Sequence, residues 1–405
     1  MKAKPVKRAF KYRFHPTDEQ AAELTRTFGC VRRVYNLALD ARTTAWSQRQ
    51  ERVNYNATSA MLTDWKKTAE LSFLAEVSSV PLQQALRHLQ AAFANFWAGW
   101  AKYPQFKSKR KTRRAAEYTR SGFRFRDGCL TLAKMAGPLD IVWSRPLPEG
   151  AEPSTVTVSQ DSAGRWFVSM LCEDVSVKPL PVVDAVVGID VGITALLTLS
   201  TGEKIANPRY ERRERERLAK AQRNLAKKEN GSRNRDKARV KVARVHARIA
   251  DRRRDGLHKL TTRLVHENQV VVIEDLSVQN MLRNRTLARA ISDAAWSEFR
   301  SMLEYKAGWY GRTVITVERW YPSTKTCSGC RYVKASVPLG ERTFRCGRCP
   351  LVLDRDVNAA RNIKAAGLAV LACGAAVRPQ RRIPRGQSAM KQEPRRATVA
   401  GLSAA

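Results

Sequence analysis

The sequence predicts an α/β protein of several domains, and three observations lead to that prediction. The chain has 405 residues, enough for two or three domains with their own cores. In its second half, short apolar runs typical of buried strands alternate with long stretches of helical periodicity. Four cysteines in that half have the spacing of a small zinc-binding unit. The prediction is therefore an α/β domain with a zinc-binding insertion, preceded by other domains.

The charge of the chain indicates its class of partner. The sequence contains 74 Lys and Arg residues against 37 Asp and Glu residues, which leaves a net charge of +37. Nucleic acid neutralises such a charge, and each phosphate contact releases condensed counter-ions. An anionic membrane is the alternative partner. It is disfavoured because the basic residues are spread over the whole length and no apolar run approaches the roughly 20 residues of a membrane span.

The N-terminal half predicts strands interrupted by helices. Residues 10–14 alternate apolar and basic side chains, as a half-buried strand does. Thr17 and Gln20 have the spacing of a helix capping box. A helix is predicted over 82–100, and core packing is expected for its apolar stripe. Residues 121–172 alternate in the manner of several short strands separated by turns.

A segment of mixed aromatic and basic residues follows that helix. Residues 103–114 contain two aromatic and six basic side chains. Aromatic rings stack on bases while cations follow phosphates, so this segment is a candidate nucleic-acid contact. A solvated basic loop is the alternative.

The second half predicts strands separated by long helices. Residues 175–184 contain two prolines and predict a linker, with a domain boundary near 180. One Arg-rich helical region is predicted over 212–264, broken at 230–232. Its excess of basic residues, 19 Lys and Arg against 7 Asp and Glu over 211–260, favours phosphate binding over a merely solvated face. Strands are predicted within 186–199, 270–273 and 314–317, and one long amphipathic helix over 287–310.

Three carboxylates occupy positions that a folded sheet can bring together. Asp190 lies in an apolar strand, Glu274 closes another, and Asp356 begins a helix. Each alone has a simpler explanation, since an Asp between two glycines also occurs in nucleotide-binding ATPase folds and a Glu after a strand can merely cap it. Together they suit two Mg²⁺ ions roughly 4 Å apart, which activate water and stabilise the departing 3′ oxygen of a phosphodiester. The three acids therefore predict a metal-dependent nuclease.

Neighbouring residues support these positions. Asp354 lies two residues before Asp356, and we expect it to cap the helix or to support the site rather than to bind the metal. Gly188 and Gly192 flank the strand position of Asp190, and we expect them to leave space for a sugar-phosphate backbone.

Four cysteines form two Cys-x2-Cys pairs separated by fifteen residues. Four thiolates complete a tetrahedral zinc site without an open position, so the site is expected to be structural. Disulfides are the alternative, but the other four cysteines are scattered, as in a reducing cytoplasm. The predicted ligands are Cys327, Cys330, Cys346 and Cys349.

The chain resembles the TnpB family, the transposon-encoded RNA-guided nucleases related to miniature type V CRISPR effectors. The motifs that carry the resemblance lie at residues 12–20, 103–109, 188–193, 273–276, 292–299 and 354–360, together with the four cysteines. In the family's three RuvC motifs the catalytic acids correspond to Asp190, Glu274 and Asp356. The resemblance implies a guide RNA, a double-stranded DNA target beside a short recognised motif, cleavage with Mg²⁺ and a structural Zn²⁺.

The resemblance also implies an architecture: an N-terminal β-barrel-like wedge domain with a helical recognition insert, and an RNase H-like (RuvC) nuclease domain with an inserted zinc ribbon. A prokaryotic, cytoplasmic protein is expected, with no membrane association and no assigned oligomeric state. The predicted ranges are 1–15 and 115–180 for the wedge, 16–114 for the insert, 181–322 and 354–377 for the nuclease domain, 323–353 for the ribbon and 378–405 for a disordered tail.

Three other functions compete with a transposon-associated nuclease. A miniature type V effector would carry the same residues. A non-cleaving RNA-guided DNA-binding protein would need the charge and the ribbon but not the acids. A strand-transferring transposase would use three carboxylates on a similar fold, and the family resemblance argues against it.

Overall fold

The computed structural model describes residues 6–174, 177–338 and 340–372. Two compact units contain these residues: one holds the chain up to Phe28 and from Arg113 onward, and the other holds Gly29–Thr112. No helix in the described ranges is long and apolar enough to cross a bilayer. The predicted disordered tail over 378–405 lies outside the described residues.

An antiparallel sheet of five strands forms the first part of the larger unit, and a separate hairpin accompanies it. The strands are β1 (Val6–His15), β2 (Arg114–Thr119), β3 (Phe123–Arg126), β4 (Cys129–Leu132), β5 (Asp140–Val142), β6 (Pro153–Gln160) and β7 (Trp166–Asp174). The sheet has the order β2-β6-β7-β1-β5, and β3 pairs with β4. The predicted strands at 10–14 and 121–172 are confirmed, whereas the barrel-like form stays a prediction.

The predicted capping box begins the first helix, α1 (Asp18–Arg49). The backbone N–H of Gln20 donates to Thr17 Oγ1 at 3.2 Å, and the backbone N–H of Thr17 donates to Gln20 Oε1 at 3.2 Å. Two donors of the first turn are thereby satisfied.

Helices form the second unit. From Gly29 onward α1 belongs to this unit, together with α2 (Tyr55–Trp65), a 3₁₀ helix (Ala69–Ala75) and α3 (Ser79–Trp97). Apolar residues of these helices, among them Leu82, Leu86 and Leu89, form one buried core. The prediction that the apolar stripe of this helix packs in the core is wrong for Trp97, because its side chain is 64% exposed at the end of α3.

A second five-stranded sheet lies at the centre of the larger unit. Its strands are β8 (Val186–Val191), β9 (Ala195–Leu199), β10 (Lys204–Ala206), β11 (Val270–Glu274) and β12 (Thr313–Val317), in the order β10-β9-β8-β11-β12. The three predicted strand regions are confirmed. Strands β8, β11 and β12 are parallel; β9 runs antiparallel to β8, and β10 runs antiparallel to β9.

Helices and a small hairpin complete this unit. They are α4 (Tyr210–Ala226), α5 (Arg233–Glu267), α6 (Val278–Met281), α7 (Ala288–Ala294), α8 (Trp296–Tyr310), β13 (Thr343–Arg345), β14 (Val352–Asp354) and α9 (Arg355–Ala372). The predicted break at 230–232 is confirmed, because it separates α4 from α5.

The single helix predicted over 287–310 is wrong, because two helices occupy that range. Ala295 has φ +52° and ends α7 with a hydrogen bond from its N–H to the Ile291 carbonyl. An unbroken helix would turn residues two apart towards different sides. Because Ala295 has a left-handed conformation, α8 begins with a new orientation, and Ala294 and Trp296 both contribute to one buried core.

Helix α9 packs directly on the central sheet. A Cβ added to Gly188 would overlap the Ala360 carbonyl and approach the Lys364 nitrogen to 2.5 Å, and one added to Gly367 would approach the methyl groups of Val272 to 2.5 Å. Gly188 therefore allows the helix to approach, and our expectation that it makes space for a nucleic-acid backbone is wrong. Gly192 faces the Ala195 carbonyl across the turn between β8 and β9, so it also serves packing within the protein.

We predict that Gly188→Ala lowers the stability of the protein by about 1–3 kcal/mol, because backbone atoms cannot yield to the added methyl group. The midpoint of urea unfolding, followed by circular dichroism, measures this change. Gly308→Ala in α8 is the matched control. It has open space around its added methyl group, so stability should rise by roughly 0.5–1 kcal/mol. An equal loss of stability in Gly188→Ala and Gly308→Ala would contradict the close packing of α9 on the sheet.

Candidate active site and cysteine cluster

The three predicted acids lie near one another at one edge of the central sheet. Asp190 lies near the end of β8, Glu274 ends β11, and Asp356 lies in the first turn of α9. Because β8 and β11 are parallel and pair Ile189 with Ile273, the next residues of both strands lie side by side. Burial, followed by the charges of Glu274 and then Asp356, raises the pKa of Asp190 well above its usual range. The structure thus brings the three acids within electrostatic reach of one another.

Ser323, a residue that sequence reasoning missed, holds Glu274 in position. Ser323 Oγ donates a hydrogen bond to Glu274 Oε1 at 2.5 Å. Burial raises the pKa of Glu274, and the hydrogen bond from Ser323 opposes that rise. The partners are 49 residues apart, so no local pattern could reveal the contact.

Asp354 caps α9, as predicted. Its Oδ1 accepts hydrogen bonds from the backbone N–H groups of Asp356 at 3.0 Å and Val357 at 3.1 Å. Burial alone would raise the pKa of Asp354. The ammonium group of Lys204, 2.6 Å from Oδ2, and the capped N–H groups hold that pKa below its usual value.

The acids at this edge differ in their cationic partners. Asp275 forms ion pairs with Arg300 at 2.8 Å and Arg319 at 2.7 Å. Asp190 and Glu274 form no ion pair with a Lys or Arg residue in the described part of the chain. Their negative charge is therefore available to an external cation, whereas that of Asp275 is used within the protein.

The arginine before the third acid was also missed. Arg355 Nη2 lies 3.3 Å from Asp356 Oδ1, and the guanidinium lowers the pKa of nearby Asp190. It places a cationic group at the same edge of the sheet as the three acids.

The four predicted cysteines form one cluster. Their sulfur atoms all lie within 4.8 Å of one another, and those of Cys327 and Cys349, and of Cys330 and Cys346, are 3.6 Å apart. The N–H of Arg348 and that of Cys349 donate to Cys346 Sγ, and mainly for this reason the pKa of Cys346 falls to about 6. A thiolate set of this kind suits tetrahedral zinc. The three acids do not form a second such cluster among the described residues.

Two asparagines of α9 attach the cysteine cluster to the sheet domain. Asn358 accepts a hydrogen bond from the Ser328 N–H at 2.9 Å and donates to the Thr326 carbonyl at 2.7 Å. Asn362 donates to the carbonyls of Ser323 at 2.8 Å and Thr326 at 2.6 Å. Both asparagines are fully buried, so these contacts are shielded from water.

Comparison with known proteins identifies the family. Residues 168–285 match the OrfB_IS605 family, described as "Probable transposase", and residues 296–363 match the Cas12f1-like TNB domain. A Streptomyces pristinaespiralis protein named as a candidate RNA-guided DNA endonuclease is 68% identical over 97% of this chain and 98% of its own length. The chain belongs to the TnpB family. The predicted resemblance is confirmed.

Other comparisons agree with the TnpB assignment. The similarly named protein InsQ of Escherichia coli strain K12 is 34% identical over 95% of this chain and 97% of its own length. Residues 1–51 match a helix-turn-helix domain, although residues 6–51 here contain one strand and one long helix. The structure titled the mini-RNA-guided endonuclease CRISPR-Cas_phi3 aligns with a TM-score of 0.53, 9% identity, and coverage of 90% of this chain and 93% of that one. This alignment shows a shared α/β multidomain fold.

We predict that Asp190→Asn raises the thermal stability of the protein in EDTA, because the change removes a buried charge repelled by Glu274 and Asp356. A gain of about 1 kcal/mol corresponds to a rise of roughly 2–4 °C in the unfolding midpoint. Differential scanning calorimetry measures it. The control, Asp275→Asn, removes an acid that two arginines neutralise and should lower the midpoint. A decrease for Asp190→Asn would show that its charge is already compensated.

Proposed function

We propose that this TnpB-family protein is a transposon-associated RNA-guided DNA endonuclease, with Asp190, Glu274 and Asp356 as its catalytic acids. The observation that carries the proposal is the convergence of these acids at one edge of the central sheet. Two of them lack a basic partner among the described residues, which is unfavourable for stability and useful for binding a cation. The names of the relatives that match over nearly the whole chain support the same activity.

The three acids fit a divalent hard cation. All their donors are carboxylate oxygens, which Mg²⁺ prefers together with water and substrate phosphate. The raised pKa of Asp190 reflects like charges that a cation would offset. When bound, a pair of Mg²⁺ ions would supply an activated water and charge neutralisation at the leaving 3′ oxygen.

Each residue of the site then has a separate task. Ser323 holds one oxygen of Glu274, which fixes the carboxylate and leaves its other oxygen for a ligand. Asp354 orders the first turn of α9, so that Asp356 is held at the sheet edge. Arg355 is placed to hold the scissile phosphate through charge-assisted hydrogen bonds.

A basic cleft in the larger unit supports nucleic-acid binding. It has a volume of about 550 Å³ and lies between the first sheet and α5. Within this cleft, Arg165 forms ion pairs with Asp161 and Asp251. Guide RNA and target DNA are recognised mainly through shape and backbone phosphates, which such a surface contacts. The basic residues of the cleft are Arg13, Arg165, Arg244, Arg248 and Arg252.

The proposed roles of the other parts follow the predicted ranges. The first five-stranded sheet would act as the wedge domain, the helical unit as the recognition insert, and residues 323–353 as a zinc ribbon. The ribbon would hold one Zn²⁺ through its four thiolates and so keep Ser323 beside Glu274.

We predict that Asp190→Ala, Glu274→Gln and Asp356→Asn each lower the cleavage rate of guide-matched DNA at least about a thousandfold, because each removes a ligand of the ions that carry the chemistry. Retention of copurifying RNA should not change. Single-turnover cleavage in Mg²⁺, with the bound RNA measured in parallel, tests both statements. Glu267→Gln, an exposed acid on α5, is the control and should cleave normally. Full activity in any of the three variants would remove that residue from the proposed site.

We predict that the protein contains one zinc ion per chain and that Cys346→Ser loses most of it, because a three-thiolate site binds zinc less tightly. Metal analysis by mass spectrometry of the purified protein measures the stoichiometry. Cys129→Ser is the matched control, since Cys129 is an exposed cysteine outside the cluster. A zinc content that is the same in the two variants would contradict the assignment of Cys346.

A further inference from the structure

The helical unit contains an aromatic cleft that the proposed cleavage chemistry does not use. Its volume is about 230 Å³, below the range of typical cofactor sites and suited to one small planar group. Five aromatic side chains form most of its wall, together with two arginines and one glutamate. The residues that line it are Arg42, Trp46, Glu51, Arg52, Val53, Phe93, Phe96, Trp97 and Tyr103.

The aromatic side chains of the cleft are held in fixed positions while remaining accessible. Trp97 is stacked on Phe93 with ring centroids 5.5 Å apart, yet 64% of its surface is exposed. Tyr103 contacts the edges of Phe93 and Phe96 at 5.5 and 5.3 Å, and its hydroxyl lies 3.0 Å from Thr43 Oγ1. Ordered and accessible aromatic faces of this kind are suited to stacking on another ring.

A buried arginine forms part of the wall of the same cleft. Arg42 is only 6% exposed and forms no ion pair with an acid of the described chain. Its Nη2 donates to Gln90 Oε1 at 2.8 Å and its guanidinium lies 5.1 Å from the centre of the Phe93 ring, but its Nε has no hydrogen-bond partner. This Nε is shielded from solvent, so Arg42 contributes a cationic part of the cleft wall rather than a donor that a ligand can reach.

The charged residues Glu51 and Arg52 of the cleft favour some classes of ligand over others. Glu51, which pairs with Arg49 at 2.8 Å, contributes a carboxylate acceptor, and Arg52 lies 6.0 Å from the centre of the Trp46 ring. A carboxylate disfavours a phosphate group in the cleft, whereas a nucleobase offers a π-face to the aromatic wall and an amino group to Glu51. The combination therefore fits a base rather than an anion or a purely apolar group.

We propose that this cleft binds one unpaired nucleobase of the RNA that the protein carries. RNA presents unstacked bases in its loops and bulges, whereas a base of duplex DNA would first have to leave its stack, which is unfavourable. The adjacent segment over 107–112 is basic and is fixed at its start by two hydrogen bonds between Asn36 and the Lys107 backbone, at 2.8 and 2.9 Å. The basic residues of this segment would follow the RNA backbone beyond the captured base.

This inference rests on the RNA-binding part of the proposed function and is independent of the cleavage site. The test uses the full-length protein, freed of nucleic acid, and a labelled single-stranded oligoadenylate RNA of roughly 12 nucleotides, a length within known single-strand binding sites. Fluorescence anisotropy over a series of salt concentrations measures the affinity and its salt dependence. Trp97→Ala should weaken binding roughly five- to a hundredfold with an unchanged salt slope, because it removes stacking and no phosphate contact.

Matched variants separate stacking on the cleft from other effects. Trp100→Ala should leave the affinity unchanged, because Trp100 is also exposed, at 55%, but does not line the cleft. Trp97→Phe should retain most of the affinity, and Trp97→Ala should leave binding of fully paired RNA unchanged. Lys109→Ala should instead lower the salt slope by about one.

Three results would overturn the inference. Trp97→Ala and Trp100→Ala could lower the affinity for single-stranded RNA equally, or Trp97→Ala could lower the affinity for paired RNA as much as that for single-stranded RNA. The third result is a loss of affinity in Trp97→Ala that is seen only with the corresponding DNA, oligodeoxyadenylate. The last result would assign the cleft to DNA. Failure of the unmodified protein to bind RNA at any salt concentration would instead contradict the proposed function itself.

Discussion

The close packing of helix α9 on the central sheet is the constraint on which the candidate site depends. Gly188 on the sheet and Gly367 on the helix allow this approach, because neither position has space for a side chain. The same helix carries Asp356 in its first turn and the two buried asparagines that hold the cysteine cluster. One packing contact therefore sets the third acid and the cluster relative to β8 and β11.

The buried acids of the candidate site lower the stability of the fold around them. Asp190 is surrounded by other acids, and burial raises the free energy of its charged form. Asp275, next to Glu274 in sequence, shows how the chain treats a carboxylate with a structural role, since two arginines neutralise it. The apolar strands beneath the acids provide the burial that keeps an unfavourable charge arrangement folded.

Sequence reasoning succeeded where the determining signal is local. The strands, the Thr17 capping box and the Asp354 cap follow from residues within a few positions of one another. The cysteine spacing predicted the cluster because each Cys-x2-Cys pair forms a short knuckle. Contacts between distant segments were missed, including that of Ser323 with Glu274, since nothing near either residue records the other. Apolar periodicity also misled at Trp97, because periodicity gives the side of a helix but not whether anything covers that side.

Ser323 belongs to both parts of the larger unit, since its hydroxyl contacts Glu274 while its carbonyl contacts Asn362 below the cysteine cluster. Where binding at one site moves such a shared residue, the two binding events are thermodynamically coupled, and the coupling acts equally in both directions. Occupancy of the thiolate cluster would then alter the affinity of the carboxylates for their cation, and the cation would alter zinc affinity by the same factor. Under the proposed function, the cysteine cluster would then influence the carboxylate site as well as support it.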